Sequence, residues 1–187
     1  MKKQVLLALL LQSLVSSRMN GQAESPKTIS FGWPVINERL TEGVRYQPYQ
    51  CLVSMPVRTW GRSATRTWSI FLEPQFVLAE FKPRGKTNVE FGVNTGIAWQ
   101  QRVAERVDVR AAVGTGPHFI TVETRQQARG FIFSDNFSLG VIGRPRVAGR
   151  LSGHLTARFR HISNANLFSP NKGIDTWFLL AGVVLRP

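Results

Sequence analysis

From residue 24 onward the chain alternates apolar and polar positions with a period of two, the pattern of strands whose two faces meet different surroundings. The clearest run is Asn88 to Gln100, where Val89, Phe91, Val93, Ile97 and Trp99 share one side and Asn88, Glu90, Asn94 and Gln100 the other. Val103 to Gly116 repeats it, with Val107, Val109, Ala111 and Val113 set against Arg106, Asp108 and Arg110. Phe131 to Ile142 puts Phe131, Phe133, Phe137, Leu139 and Val141 together, away from Ser134, Asn136 and Ser138. In Leu151 to His161, Leu155, Ala157 and Phe159 oppose His154, Thr156, Arg158 and Arg160, and the final run from Trp177 to Leu185 is apolar on both sides.

Upstream, three further strands are expected. Thr28 to Trp33 is short and aromatic, and Val44 to Met55 contains Pro48, which points to an edge or a bend. Thr67 to Phe81 sets Trp68, Ile70 and Leu72 against Thr67, Ser69, Phe71 and Glu73, with Pro74 expected to mark a bulge or kink. The stretch Lys82 to Lys86, KPRGK, reads as a turn.

No stretch carries a convincing helical period, so the fold class is all-β, as a closed antiparallel barrel or a sandwich. A soluble protein would hide the apolar faces, whereas a membrane barrel turns them to lipid and lines its lumen with groups such as Arg106, Asp108, Arg158 and Arg160. Periodicity is the same in both cases. Trp60, Trp68, Trp99 and Trp177 near strand ends favour the membrane form. Strand counting gives about eight, a size at which side chains alone fill the interior. The expectation is an antiparallel outer-membrane β-barrel of about eight strands with a filled interior, a scaffold and not a pore.

The N-terminus adds the route. Lys2 and Lys3 precede an apolar run from Val5 to Val15, and small and polar residues follow to Gly21-Gln22-Ala23. This has the outline of a secretory signal peptide over residues 1–23, cleaved after Ala23 or, as second choice, after Ser17, with a single barrel domain over 24–187. The run is too short to span a bilayer as a helix. Formal net charge is +13; residues 1–23 hold Lys2, Lys3 and Arg18 and no acid, so the mature chain keeps +10. That excess favours anionic neighbours such as lipid head groups or lipopolysaccharide phosphates, and the signal argues against nucleic acid. Clusters such as Arg58, Arg62 and Arg66, or Arg144, Arg146 and Arg150, read as loop and rim charges. Cys51 is the only cysteine, so no intrachain disulfide forms. His118 and His154 lack metal-ligand spacing, and no metal or cofactor is implied.

Candidate chemistry gathers in one stretch, HISNANLFSPNKGID, from His161 to Asp175. In an extended segment His161 and Ser163 share a face, the relationship an activated hydroxyl needs with its base, and Asp175 is placed to orient the imidazole. All three are odd-numbered and so lie on the apolar side with Phe159, Trp177 and Leu179. In a membrane barrel that side faces lipid, which makes an esterase acting on membrane lipid the natural reading. Asn171 and Asn164 are the side-chain candidates for an oxyanion donor; regular continuation of the strand points Asn164 away from Ser163, which favours Asn171.

This stretch resembles the signature of the lipid A 3-O-deacylase (PagL) family: His161, Ser163, Asn164, Ala165, Pro170, Asn171, Gly173 and Asp175 all fall in register. Looser similarity extends upstream through Gly114-Thr115-Gly116-Pro117, Thr124-Arg125-Gln126-Gln127 and Phe131-x-Phe133. The resemblance implies an outer-membrane barrel that cleaves an acyl ester of lipid A with a Ser163 nucleophile, a His161 base and an Asp175 carboxylate, where the family often has Glu. Lipid A or lipopolysaccharide would be the substrate and the outer membrane the location. Two other readings stay open: a structural or adhesion barrel without activity, and an esterase acting on phospholipid.

Overall fold

The computed structural model describes residues 26–186 except 38, 41–43, 64, 83–85, 122 and 145–148, so the expected signal peptide and the centre of the KPRGK turn lie outside the described residues. The strands, in chain order, are β1 (Lys27–Asn37), β2 (Arg39–Leu40), β3 (Val44–Ser63), β4 (Arg66–Lys82), β5 (Lys86–Ala104), β6 (Val107–Thr115), β7 (Pro117–Ile120), β8 (Gly130–Gly143), β9 (Leu151–Ser163) and β10 (Ile174–Leu185). They form one antiparallel sheet that closes on itself where β1 pairs with both β10 and β3. β2 extends the β3 hairpin by two residues. β6 and β7 are two halves of one stave: both hold the same register on β5, through Thr95↔Thr115 and Gly92↔His118. The interruption falls at Gly116, where a Cβ would run into the Val93 carbonyl oxygen. The result is a closed eight-stranded antiparallel barrel.

The expected parity holds on β4, β5, β6, β8, β9 and β10, and burial decides which face is which. On β5, Asn88, Glu90 and Asn94 are buried inside while Phe91, Val93 and Ile97 are exposed outside. On β8, Ser134, Asn136 and Ser138 are inside and Phe137, Leu139 and Val141 outside. Apolar residues outside and charges inside is the arrangement of a barrel that meets lipid, because desolvated charges are tolerable only where they find partners. They do here: Arg158 pairs with Glu73 at 2.8 Å and Arg160 with Glu90 at 2.5 Å, while their Nε atoms donate to Ser138 and Ser134. These crossing pairs fill the lumen. Outside, Trp60, Trp68 and Trp99 are successive cross-strand partners on β3, β4 and β5, forming part of an aromatic girdle.

Two local expectations are corrected. Val103 ends β5 with Ala104 instead of opening the next strand, because the polar pair Glu105-Arg106 makes the turn and β6 starts at Val107. Pro74 carries no register shift on either side; the wall shifts instead between Pro56 and Arg58 and between Trp60 and Ser63 on β3. Around Pro74 the ladder to β3 simply skips two pairs, since proline has no N–H to donate. Pro48 lies between the part of β3 that pairs with β2 and the part that pairs with β1, and stands opposite Ala79 on β4.

The barrel has two unlike ends. β1 begins and β10 finishes at one, called here the terminal end, where β5 and β6 are joined by a two-residue turn. The other, the loop end, carries the connections 121–129 and 164–173. Inside the loop end an apolar cluster of Tyr46, Ala79, Phe81, Ile120, Ile132, Ile162 and Ile174 closes the lumen. Burial of each isoleucine contributes about 1.5–3 kcal/mol, and Ile162 and Ile174 tie β9 and β10 together just where the candidate residues sit.

Candidate active site

His161 and Asp175 are direct partners across β9 and β10, and Asp175 Oδ1 lies 2.6 Å from His161 Nδ1. The pairing follows from the strands: Ile162↔Ile174 is buried inside, so the next pair outward in register must face the other way. The contact is half open, with side-chain exposures of 36% for His161 and 53% for Asp175. Ser163 is the last residue of β9, on the same outer face and opposite Phe133 of β8. Among the described residues the hydrogen bonds of the His161 ring are with Asp175 and not with Ser163, which leaves Nε2 as the ring atom for the serine side. Catalytic hydrogen bonds are commonly longer before substrate binds.

Gly173 holds the ring from the loop side. Its φ is +74°, a left-handed conformation natural to glycine, and a Cβ there would strike His161 Cε1 and lie 3.0 Å from Nε2. Only a residue without a side chain lets the loop pass this close to the imidazole.

The connection 164–173 is pinned by the asparagines. The Asn164 side chain is fully buried in the barrel mouth and its Nδ2 donates to the Phe168 carbonyl at 2.7 Å. The Asn164 backbone N–H donates to Asn171 Oδ1 at 2.7 Å, and Asn171 Nδ2 donates to Asn166 Oδ1 at 3.0 Å. Ala165 and Asn166 complete the turn with φ of 52° and 63°. The loop leans on its neighbour 121–129: Ala128 N–H donates to the Pro170 carbonyl and Lys172 N–H to the Gln126 carbonyl. Thus the segment Thr124-Arg125-Gln126-Gln127 supports the candidate site, and Gln127 forms a backbone bridge with Asn171 itself.

One residue is missing from the set read off the sequence. Asp135 on β8 is the cross-strand partner of His161 on the side away from Asp175, and accepts a 2.5 Å hydrogen bond from Thr115 Oγ1. Thr95 pairs with Thr115 in turn. A polar row, Thr95, Thr115, Asp135, His161 and Asp175, therefore crosses the outer surface of five staves. The signal was an acid at an odd position in the otherwise apolar outer set of Phe131 to Val141. Beside Asp135 an apolar groove of about 510 Å³ opens on the outer wall, with Ile97, Val113, Phe137 and Phe159 along it. His118 and His154 are inside the lumen, bonded to Asn94 and to Ser30 and Thr156, and no cluster suited to a metal occurs among the described residues.

The family model for lipid A 3-O-deacylase (PagL) matches residues 49–184. Among solved structures, the crystal structure of the outer membrane enzyme PagL is similar over 87% of this chain and 100% of its own, with 14% identity and a TM-score of 0.66. The outer membrane protein Ail of Yersinia pestis, at 14% identity, covers 88% of this chain and 100% of its own with a TM-score of 0.44. OprG from Pseudomonas aeruginosa, at 9% identity, covers 88% and 97% with a TM-score of 0.48. No curated protein sequence matches the chain. The match spans the barrel from β3 to β10 and takes in the whole polar row, and the chain belongs to the lipid A 3-O-deacylase (PagL) family of outer-membrane enzymes.

Proposed function

We propose that the protein removes the 3-O-linked acyl chain of lipid A with Ser163 as nucleophile, His161 as base and Asp175 as the carboxylate that orients the ring. The carrying observation is the 2.6 Å contact between His161 Nδ1 and Asp175 Oδ1 on the lipid-facing wall, with Ser163 one outward position further along β9. In this reading His161 Nε2 takes the proton of Ser163 Oγ as the oxygen attacks the ester carbonyl, and the tetrahedral oxyanion collapses with loss of the sugar oxygen, which receives that proton. Water then enters by the same route in reverse roles, releasing the fatty acid and regenerating Ser163. Asn171 is the side-chain oxyanion donor: its Nδ2 has a second hydrogen beyond the one given to Asn166, whereas Asn164 is turned inward and holds the loop.

The setting supports a lipid substrate. The site lies on the outer wall at the end with the longer loops, the end that faces outside in such barrels. The neighbouring groove is apolar and suits an acyl chain, while the reacting groups sit at its polar margin. Residues 1–23 act in this reading as the secretory signal that delivers the barrel to the outer membrane.

Mass spectrometry of lipid A from cells expressing wild type or Ser163→Ala tests this. The expected result is loss of one ester-linked acyl chain with wild type only. Identical lipid A in both strains rejects the proposal, and fatty acid released instead from phospholipid would assign the same chemistry to another lipid.

A further inference from the structure

The lumen at the terminal end differs from the rest of the interior in its charge balance. Deeper in, Arg158 and Arg160 each have their own acid, Glu73 and Glu90. At the terminal mouth a cavity of about 230 Å³ is lined by Arg102, Arg110, Arg144 and Arg186, and Asp108 is the one carboxylate among the described residues that line it. Asp108 is already shared, with Arg144 at 3.4 Å, Arg102 at 3.9 Å and Gln100 Nε2 at 2.8 Å. Neither Arg110 nor Arg186 pairs with a carboxylate among the described residues; Arg110 stacks over Phe71 and Arg186 donates to Ser152 Oγ. Arg102 Nε, 3.9 Å from Asp108, is too far from it for a hydrogen bond and makes no other. A charged donor without a hydrogen-bond partner is satisfied by water or by a ligand.

We propose that this mouth is a binding site for a phosphate-class oxyanion, on the opposite end of the barrel from the His161 row. Convergent guanidinium groups with surplus charge suit a multivalent oxyanion, which they can engage through parallel N–H donors. The remaining walls contribute the hydroxyls of Thr28, Ser54, Thr67 and Ser69, neutral donors that serve the same ligand. An apolar or cationic ligand finds no such match there. The phosphate has two sources: free in solution, or in the head group of an anionic lipid whose leaflet borders this end.

The test uses the purified, folded full chain in zwitterionic detergent, titrated with inorganic pyrophosphate by calorimetry at low salt, alongside reconstitution in phosphatidylglycerol or phosphatidylcholine vesicles and counting of retained lipid. Saturable pyrophosphate binding that weakens about tenfold in Arg102→Gln and in Arg186→Gln is expected, in line with loss of one charged hydrogen bond. If pyrophosphate does not bind but phosphatidylglycerol is retained selectively and lost in the same variants, the site holds a lipid head group. No binding of either probe, or binding that is equal in wild type and both variants, overturns the proposal. Arg110→Gln probes the deeper wall, and the two rim variants decide the matter if it fails to fold. Ester hydrolysis remains at the wild-type rate in the rim variants, which separates this site from the proposed catalytic one.

Discussion

Asp135 stands across from His161 on β8 just as Asp175 stands across from it on β10, so the imidazole is set between two carboxylates on the lipid-facing wall. The two are not equivalent. Asp175 contacts Nδ1, whereas Asp135 is occupied by the Thr115 hydroxyl at 2.5 Å. Asp135→Asn keeps the size and the Thr115 contact but removes a charge that favours the imidazolium formed during attack. Its kcat should fall by about tenfold, equivalent to about 1.4 kcal/mol, and Thr115→Val should cause a loss that is not additive with it. An Asp135→Asn enzyme with wild-type kcat would reduce Asp135 to a surface residue.

Asp175 carries the larger expectation. Asp175→Asn replaces an acceptor at 2.6 Å from Nδ1 with an amide that can favour the wrong tautomer, a change that costs about 10⁴-fold in kcat in serine protease triads. A fall of at least about 10³-fold is expected here, with barrel folding unchanged by heat-shift mobility on gels. Asp175→Glu should recover part of the rate. Activity of Asp175→Asn near wild type would remove this carboxylate from the mechanism.

Gly173 is predicted to be as intolerant as the chemical groups, for a steric reason. Alanine there meets the His161 ring and must also hold φ near +74°, which costs a side-chain-bearing residue about 1–2 kcal/mol. Gly173→Ala should lose most activity by displacing Nε2 while thermal stability drops only slightly. If activity falls only in proportion to stability, the glycine serves the turn and not the ring.

How far these relationships can be read from sequence depends on the element. Alternation marks the staves from Thr67 onward and, through parity, puts His161, Ser163 and Asp175 on one outer face, because a strand repeats every two residues without drift. The same parity marks Asp135, yet an isolated acid among Phe133, Phe137 and Leu139 has no motif to single it out. What parity does not contain is register between staves. That both Asp135 and Asp175 stand across from His161 is set by the β8–β9 and β9–β10 registers, which run without a shift. The support of loop 164–173 by Gln126 and Ala128 is tertiary as well, set by how two loops close one mouth.

The buried pairs should behave unlike surface ones. Glu90 and Arg160 are sealed in the lumen, with Ser134 completing the guanidinium. Glu90→Gln leaves Arg160 charged and unmatched, and should lower stability by about 3–5 kcal/mol. The double variant Glu90→Gln with Arg160→Met should recover much of that, as read by urea unfolding in detergent. A loss in the double variant equal to the sum of the two singles would mean that Glu90 and Arg160 contribute independently and that no stranded charge is at work.

The groove beside Asp135 offers a way to separate binding from chemistry. Thr95 and Thr115 are small outer residues next to its glycine-backed floor at Gly96 and Gly114, while Ile97, Val113 and Phe137 form its apolar side. Thr95→Trp would fill that space from the lipid side at little cost to the barrel, since an aromatic on the outer wall stays in its preferred surroundings. If the groove takes an acyl chain, KM for long-chain substrates rises by about tenfold or more while kcat for a short-chain ester holds, because a filled pocket removes binding shared by ground and transition states. Equal effects on short and long chains would place the acyl chain elsewhere on the wall.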